Sequence, residues 1–408
     1  MAEHAKLGGS SCPRWVNCPG SVRLCQDIPP TTSDYADEGT AAHLLGSTAL
    51  KEWKAVSSYL GQKYEVNGKA WKVTDEMIEA VQHYVTAVRL EKKAGCELYV
   101  EQKFDLAKLD PKFKGLEMFG TNDACVSEVL GKLTVFDYKH GQGVPVSVER
   151  NYQLMFYALG AYLSLKDDND LVELVVVQPR CSHAGGPIRR WQLTPEELLA
   201  WAYNTLLPAA LESIKPDAGL KSGYWCNDYF CPAQASCPAL FDAAKELAQR
   251  DFAVLEAPEK MSIEQIAETL KIREFTNSVI APFFTKVADF AKAEMERGVV
   301  VPGWKLVQGR AGNRKWLDEK LVANLLVGYG DKIYVPQTLL SPAQMDKTVK
   351  AIDKTRGVER NPQVLYDHLI IRNPPSVSIA PEHSSKPALI PSISDDFDSV
   401  DDDLNDLF

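Results

Sequence analysis

A mixed α/β fold, a sheet flanked by helices, is what this 408-residue sequence predicts, and three observations carry the prediction. Three strand-like segments (97–105, 118–128 and 132–139) follow one another with a turn at Gly131. A helical segment, 151–164, comes next. Then Leu171-Val172-Glu173-Leu174-Val175-Val176-Val177 runs almost unbroken in β-branched and apolar residues, as a strand covered on both faces does. Strands in succession, then helix, strand and helix, define a mixed sheet with helices against it.

The remaining elements follow from periodicity and caps. Residues 1–30 read as a polar entry segment rich in Cys and Pro. Segments 36–60 and 74–94 have helical periodicity, with Thr74 as N-cap of the second. Thr194-Pro195-Glu196-Glu197 opens a helix over 194–213, and a cysteine segment at 226–237 closes a first domain of residues 1–240. An α-rich accessory domain is expected over 241–375, with helices at 262–298, 316–327 and 342–354 and a short strand at 303–308. Within it, Gly303-Trp304-Lys305-Leu306-Val307-Gln308-Gly309-Arg310 reads either as a packed accessory strand or as aromatic and basic groups for nucleic acid. Residues 376–408, rich in Ser and Pro and then in Asp, are expected to be a disordered acidic tail.

Composition bounds the partners. The chain is 45% hydrophobic, enough for proper cores, and no apolar run reaches the ~20 residues a membrane helix needs. Its first residues lack an apolar signal core, so a cytoplasmic protein with no membrane partner is expected. In a reducing compartment nine cysteines read as metal ligands or buried thiols. The net charge of −10 argues against a uniformly basic nucleic-acid binder, but residues 395–408 alone hold seven aspartates, leaving about −3 on the rest. A local basic path is sufficient for binding nucleic acid, and Lys139, Arg150, Arg180, Arg189 and Arg190 are candidates for it or for ordinary surface charge.

The chemistry concentrates in Leu133-Thr134-Val135-Phe136-Asp137-Tyr138-Lys139. Side chains at i and i+2 of a strand share a face, so Asp137 and Lys139 converge: a carboxylate beside an ammonium. Gly120-Thr121-Asn122-Asp123 supplies a second carboxylate one strand earlier, and Glu38-Gly39-Thr40-Ala41-Ala42-His43 a histidine on a helix. Gln153 and Tyr157 lie four apart on one helical face. Glu101 is either a further acidic member or a solvated strand end, and the side chain of His140 is expected on the face opposite Lys139.

This order of motifs (G-x-x-x-H, G-x-x-D, D-x-K, Q-x-x-x-Y) resembles the RecB-like nucleases of the PD-(D/E)XK superfamily over residues 10–240. The resemblance implies a restriction-nuclease-like sheet and a Mg²⁺ or Mn²⁺ ion held by His43, Asp123 and Asp137. It implies that Lys139 assists the attacking water and that Gln153 and Tyr157 line the DNA path.

Cys226, Cys231 and Cys237 cluster in a turn-rich segment. Three thiols leave a metal one ligand short, and Cys12, Cys18 and Cys25 compete for the fourth place. RecB-like nucleases bearing an iron–sulfur cluster, AddB and the CRISPR-associated exonucleases among them, use one early cysteine in a Cys-Pro step and three late ones. That resemblance favours Cys18 and a [4Fe–4S] cluster, with structural zinc as the alternative. The spacing Cys226-x4-Cys231 departs from the Cys-x2-Cys common in that family. Cys96, Cys125 and Cys181 read as small core residues.

The sequence is therefore expected to encode a metal-dependent deoxyribonuclease, an exonuclease acting on DNA ends. Asn17-Cys18-Pro19-Gly20-Ser21 and Asp137-Tyr138-Lys139-His140-Gly141 resemble the versions carried by tailed bacteriophages, which implies work in recombination, replication or host-DNA breakdown within the host cytoplasm. The alternative is a non-catalytic nucleic-acid-binding or adaptor protein that keeps the fold. The tail, ending Asp406-Leu407-Phe408, resembles those of single-strand DNA-binding proteins. Docking to a single-strand-binding, annealing or replication protein, competition with DNA, and plain solubilisation all fit it.

Overall fold

Five strands order the main sheet as β3-β4-β5-β6-β7: β3 (Cys96–Asp105), β4 (Phe119–Glu128), β5 (Lys132–Tyr138), β6 (Leu171–Val177) and β7 (Ile188–Leu193). The computed structural model describes residues 5–29, 33–249, 262–308, 314–335, 338–358, 361–372, 377–381 and 389. Two units divide the chain, Met1–Lys286 and Val287–Phe408. The sheet belongs to the first.

All neighbours in the sheet are antiparallel except β5 and β6, which pair in parallel from Lys132↔Leu171 to Tyr138↔Val177. A parallel pair needs a crossover, and the apolar helix Tyr152–Leu165 supplies it. That helix covers one face of the sheet, burying Phe104, Cys125, Val135, Leu154, Phe156 and Leu174 among others. The other face lies under two helices, Asp34–Glu52 and Asp75–Glu91, whose apolar stripes bury Leu45, Val81 and Val85 with Phe136, Tyr138 and Val175. We number these helices α1 (Asp34–Glu52), α2 (Asp75–Glu91) and α3 (Tyr152–Leu165). Each fully buried aliphatic or Phe side chain contributes about 1.5–3 kcal/mol, so the two faces fix the register of the strands.

Caps set the helix starts: Ser33 accepts from Ala36 N, Thr74 from Met77 N, and Asn151 from Gln153 N and Leu154 N. The sequence reading misses several elements, the helix Pro238–Gln249, a hairpin and one strand of the main sheet among them. The first helix ends at Glu52, and 63–72 forms a hairpin, β1 (Lys63–Val66) with β2 (Lys69–Lys72), turned by Asn67 and Gly68 at φ 50° and 78°. Strand β7 was not foreseen either: Ile188-Arg189-Arg190-Trp191-Gln192-Leu193 carries too many charges to show apolar alternation, yet Arg189 is 5% exposed.

In the second unit, helices Glu319–Leu325 and Pro342–Thr355 bury Val322, Met345 and Val349 around Tyr366. Strand pairing there is two-stranded, including Trp304–Gln308 with Val377–Pro381, so the stretch expected to open the tail contributes a strand. Trp304 is exposed, whereas Leu306 and Val307 are buried. The acidic residues 395–408 lie outside the described residues. No helix among the described residues is long and apolar enough to cross a membrane.

Candidate active site

The site lies where β4 and β5 part. Their pairing runs from Ser127↔Leu133 to Ala124↔Phe136 and stops. The next residues in that register, Asp123 and Asp137, face each other across the fork. Like charges directly opposite on neighbouring strands destabilise a sheet, so their placement calls for a compensating cation. Asn122, wholly buried, spans the fork by donating from Nδ2 to Phe136 O at 3.0 Å.

Side chains from α1, β5 and α3 gather around the two carboxylates. Tyr138 N donates to Asp123 Oδ2 at 2.7 Å, and His43 Nδ1 on α1 stands 3.4 Å from Asp123 Oδ1. Lys139 Nζ lies 2.9 Å from Asp137 Oδ2 and donates to Oδ1 at 3.1 Å. It also donates to Gln153 Oε1 at 3.1 Å, and Gln153 Nε2 donates to Tyr157 OH at 3.4 Å. The six residues expected from sequence therefore meet as two short chains of contacts, His43–Asp123 and Asp137–Lys139–Gln153–Tyr157, joined through the Tyr138 backbone. Asp137 is 2% exposed, and its Oδ2 accepts no well-directed hydrogen bond despite the nearby ammonium.

Gly120 has a steric reason. A Cβ there would sit 2.8 Å from the Tyr157 ring, which also presses on Gly9. The glycine of G-x-x-D thus admits the tyrosine of Q-x-x-x-Y to the site. Nothing in the structure explains Gly39 of G-x-x-x-H, whose Cβ position is open.

Electrostatics split the two carboxylates. Burial lifts Asp137 above the usual carboxylate range, and Lys139 only partly opposes it while Asp123 adds to the lift. Burial would lift Asp123 as well, but the neighbouring His43, then Lys139 and Tyr138 N–H, leave it lowered. Burial pulls the His43 imidazole down, yet Asp123 outweighs it and holds the ring above its ordinary value. Lys139 behaves alike: desolvation is overcome by Asp137 and Asp123, so the amine is raised and stays an ammonium.

Sequence reasoning missed the support behind β5. Tyr138 OH meets His140 Nδ1 at 2.7 Å, His140 Nε2 meets Glu38 Oε1 at 3.3 Å, and Arg180 NH1 donates to the same Glu38 oxygen at 3.1 Å. Tyr138 also stacks on Tyr84 at 5.2 Å and takes the His43 ring edge-on at 5.3 Å. This network ties α1, which carries His43, to the strand that carries Asp137. Glu38, inside the motif that supplies His43, was the available signal. His140 does lie away from Lys139, bonded on the α1 side.

The basic path needs revision. Arg180 is paired with Glu38 and Glu76, Arg190 with Glu91 and Glu173, and Arg189 is buried against Val146 O and Gln178. These three serve the fold. Arg150 is exposed immediately before α3, and Lys139, partly exposed, pairs with Asp137.

The donor set suits a hard divalent cation: two carboxylates and an imidazole, with one buried carboxylate oxygen lacking a directed donor. As the side chains stand, no three His, Cys, Asp or Glu groups among the described residues, the thiols included, form a group that could hold a metal; Lys139 and His43 pair with the carboxylates.

The thiols form a second cluster in the same unit. Cys18, Cys226, Cys231 and Cys237 line one cavity of about 10 Å³ with Arg14 and Lys221. Cys18 Sγ accepts from Lys221 N at 3.3 Å. Gly20 N donates to Gly219 O at 3.0 Å, and a Cβ on Gly20 would lie 2.6 Å from Ala218 O, so backbone contact seats the early cysteine beside the late ones. Cys25 joins them, its Sγ 3.8 Å from Cys231 Sγ, a contact that lowers the Cys25 thiol and raises Cys231. Cys12 does not compete: it is buried in the core with Trp15 and Phe156, and burial pushes its thiol up. Cys96, Cys125 and Cys181 are buried, with Cys125 pushed up to about 12 by burial. All nine thiols are free.

Fold and site together define an α/β protein whose sheet forks at an Asp–Asp–Lys–His cluster. The chain belongs to the family described as "Protein of unknown function (DUF2800)", whose model matches residues 4–387. It is also similar to a solved structure, that of SSO0001, at 14% identity and a TM-score of 0.27, covering 59% of this chain and 88% of the other.

Proposed function

We propose that this protein is a metal-dependent deoxyribonuclease, an exonuclease acting on DNA ends. The observation that carries the reading is the fork: Asp123 and Asp137 facing each other where pairing stops, with a lysine held charged beside them. A binding module has no use for two opposed carboxylates against a polyanion.

His43, Asp123 and Asp137 would hold Mg²⁺ or Mn²⁺. When bound, the cation supplies Lewis acidity at a phosphoryl oxygen. Lys139 stays protonated, which suits it to orienting the attacking water and countering the charge that develops on phosphorus oxygens rather than to accepting a proton. Gln153 fixes Lys139 through Oε1 and is itself held by Tyr157. Gln153 lies in the first turn of α3, so a phosphate bound beside it would also meet the positive end of that helix.

Cys18, Cys226, Cys231 and Cys237, with Cys25 in contact, would hold a [4Fe–4S] cluster or structural zinc, which supplies a link between the start and the far end of the nuclease unit. Their lining of one cavity supports a shared set of thiol donors, and its volume of about 10 Å³ is that of a single ion's site rather than of a four-iron cluster as the side chains stand. The resemblance to phage nucleases supports a place in recombination, replication or host-DNA breakdown, and the tail, outside the described residues, is proposed to dock a single-strand-binding, annealing or replication protein.

The test is cleavage of an end-labelled linear duplex by anaerobically purified protein with Mn²⁺ or Mg²⁺, beside Lys139→Ala. The reading expects degradation from ends, reduced on the order of 10²–10³-fold in the variant. No cleavage of duplex or single strands in either metal supports the adaptor instead.

A further inference from the structure

Helix α1 meets the end of β5 through two of its side chains, Glu38 and His43, which lie about 7.5 Å apart along the helix axis. Glu38 Oε1 lies 3.3 Å from His140 Nε2, and His43 sets its ring edge-on against that of Tyr138 at 5.3 Å. On the strand side, Tyr138 OH and His140 Nδ1 join these two points at 2.7 Å. The contacts close into a circuit that runs Glu38, His140, Tyr138, His43 and back along α1. From it His43 Nδ1 reaches Asp123 Oδ1 at 3.4 Å, and Tyr138 N donates to the other oxygen of the same carboxylate.

The hydrogen bonds of the circuit have one direction. A carboxylate paired with a guanidinium only accepts, so His140 donates from Nε2 to Glu38, and its Nδ1 accepts from the Tyr138 hydroxyl. Burial and then Arg180 hold the His140 imidazole below its ordinary value although Glu38 pulls the other way, which agrees with a neutral ring. His140 is 4% exposed and Tyr138 wholly buried, so loss of either partner strands a polar atom in the interior. Glu38 is itself held from outside: Arg180 donates to it from NH1 at 3.1 Å and to Glu76 on α2 from NH2 at 2.7 Å. A brace for the fold alone has no need to run through the residue that seats His43 and whose N–H holds Asp123.

We propose that Glu38 is a positioning residue: through His140 and Tyr138 it holds the His43 imidazole against Asp123, where the divalent cation needs it. The effect on the cation rests on the reading under Proposed function, whereas the placement of His43 does not. Glu38 acts at one remove, on the geometry of a ligand rather than on the metal or the phosphate.

Two readouts on the full chain test this. Nuclear magnetic resonance of histidine-labelled, metal-free protein follows the His43 ring protons, which the Tyr138 ring current shifts and His43→Asn assigns. Mn²⁺ titration of the same preparations, by electron paramagnetic resonance, follows the cation. Glu38→Ala should move the His43 signals and weaken Mn²⁺ binding about 10- to 100-fold. Glu38→Gln keeps an oxygen for the His140 Nε2–H and should return both readouts to wild-type values. Tyr138→Phe cuts the circuit one link later and should also move the His43 signals, which keeps the test open if Glu38→Ala does not fold. Arg190→Ala removes a comparable ion pair, to Glu91 and Glu173, and should lower the melting temperature while leaving both readouts alone. Unmoved His43 signals in Glu38→Ala, or the same change in Arg190→Ala, would overturn the proposal. A wild type that binds no Mn²⁺ would remove the cation reading, and the His43 signals would still decide the positioning.

Discussion

Two charged clusters sit on the same sheet, and they are built on opposite principles. Around Glu173, at the pairing of β5, β6 and β7, every charge is answered: Lys132 Nζ lies 2.9 Å, Arg190 NH1 2.6 Å and Gln192 Nε2 2.8 Å from its carboxylate. Burial would raise Glu173, but these partners leave it lowered. At the fork, Asp137 is equally buried, yet it ends raised, with one oxygen lacking a directed donor and a second carboxylate facing it. The first arrangement holds strands together. The second stores repulsion where β4 and β5 separate, which is what the proposed cation and phosphate site needs.

The contrast can be broken by substitution. Glu173→Ala leaves Lys132 and Arg190 with Glu91 as their remaining carboxylate and should cost about 1.5–3 kcal/mol of unfolding free energy, measured in urea, with DNA cleavage per folded molecule unchanged. If stability held and cleavage fell, the roles of the two clusters would be exchanged. Gly120→Ala drives a methyl against the Tyr157 ring and should cost about 1–3 kcal/mol. Adding Tyr157→Ala should recover part of that loss; no recovery would mean the glycine serves something else.

The thiols offer a third comparison. Cys237→Ser should remove iron, or zinc, from anaerobically purified protein and lower its melting temperature, whereas Cys12→Ser should leave metal content intact. Equal metal in both variants would dismiss the cavity as a ligand set. Cys25→Ser decides whether the thiol touching Cys231 is a ligand, which would show as metal lost from that variant.

The smallest expected effect is one of pH. His43 is raised in the folded state, so its protonation stabilises the metal-free fold below the ordinary imidazole pKa of about 6.5. That stability is lost as pH rises through the folded value. A cation requires the neutral ring, so Mn²⁺ affinity should rise across the same window, by up to about tenfold per pH unit below it. His43→Asn should flatten this dependence.

What was legible in the sequence was what local pattern encodes. The β-branched run 171–177 can only be a covered strand, and Asp137-x-Lys139 shares a face by strand geometry alone. Asn67-Gly68 signalled the hairpin, but helical periodicity on both sides obscured it. Other features depend on register between distant segments. Arg180, Arg189 and Arg190 read as a basic path until their partners, up to 142 residues away, claim them. Cys25 and Cys231 are 206 residues apart in sequence, and no spacing announces their contact.

The central claim is that the fork sacrifices stability for chemistry, and Asp137→Asn tests it on a single preparation. Unfolding free energy and end-dependent cleavage with Mn²⁺ would be measured side by side. The account predicts cleavage lost with stability equal to or above that of the wild type, since burial already opposes the charge. Retained cleavage, or a loss of stability as large as that of Glu173→Ala, would contradict it.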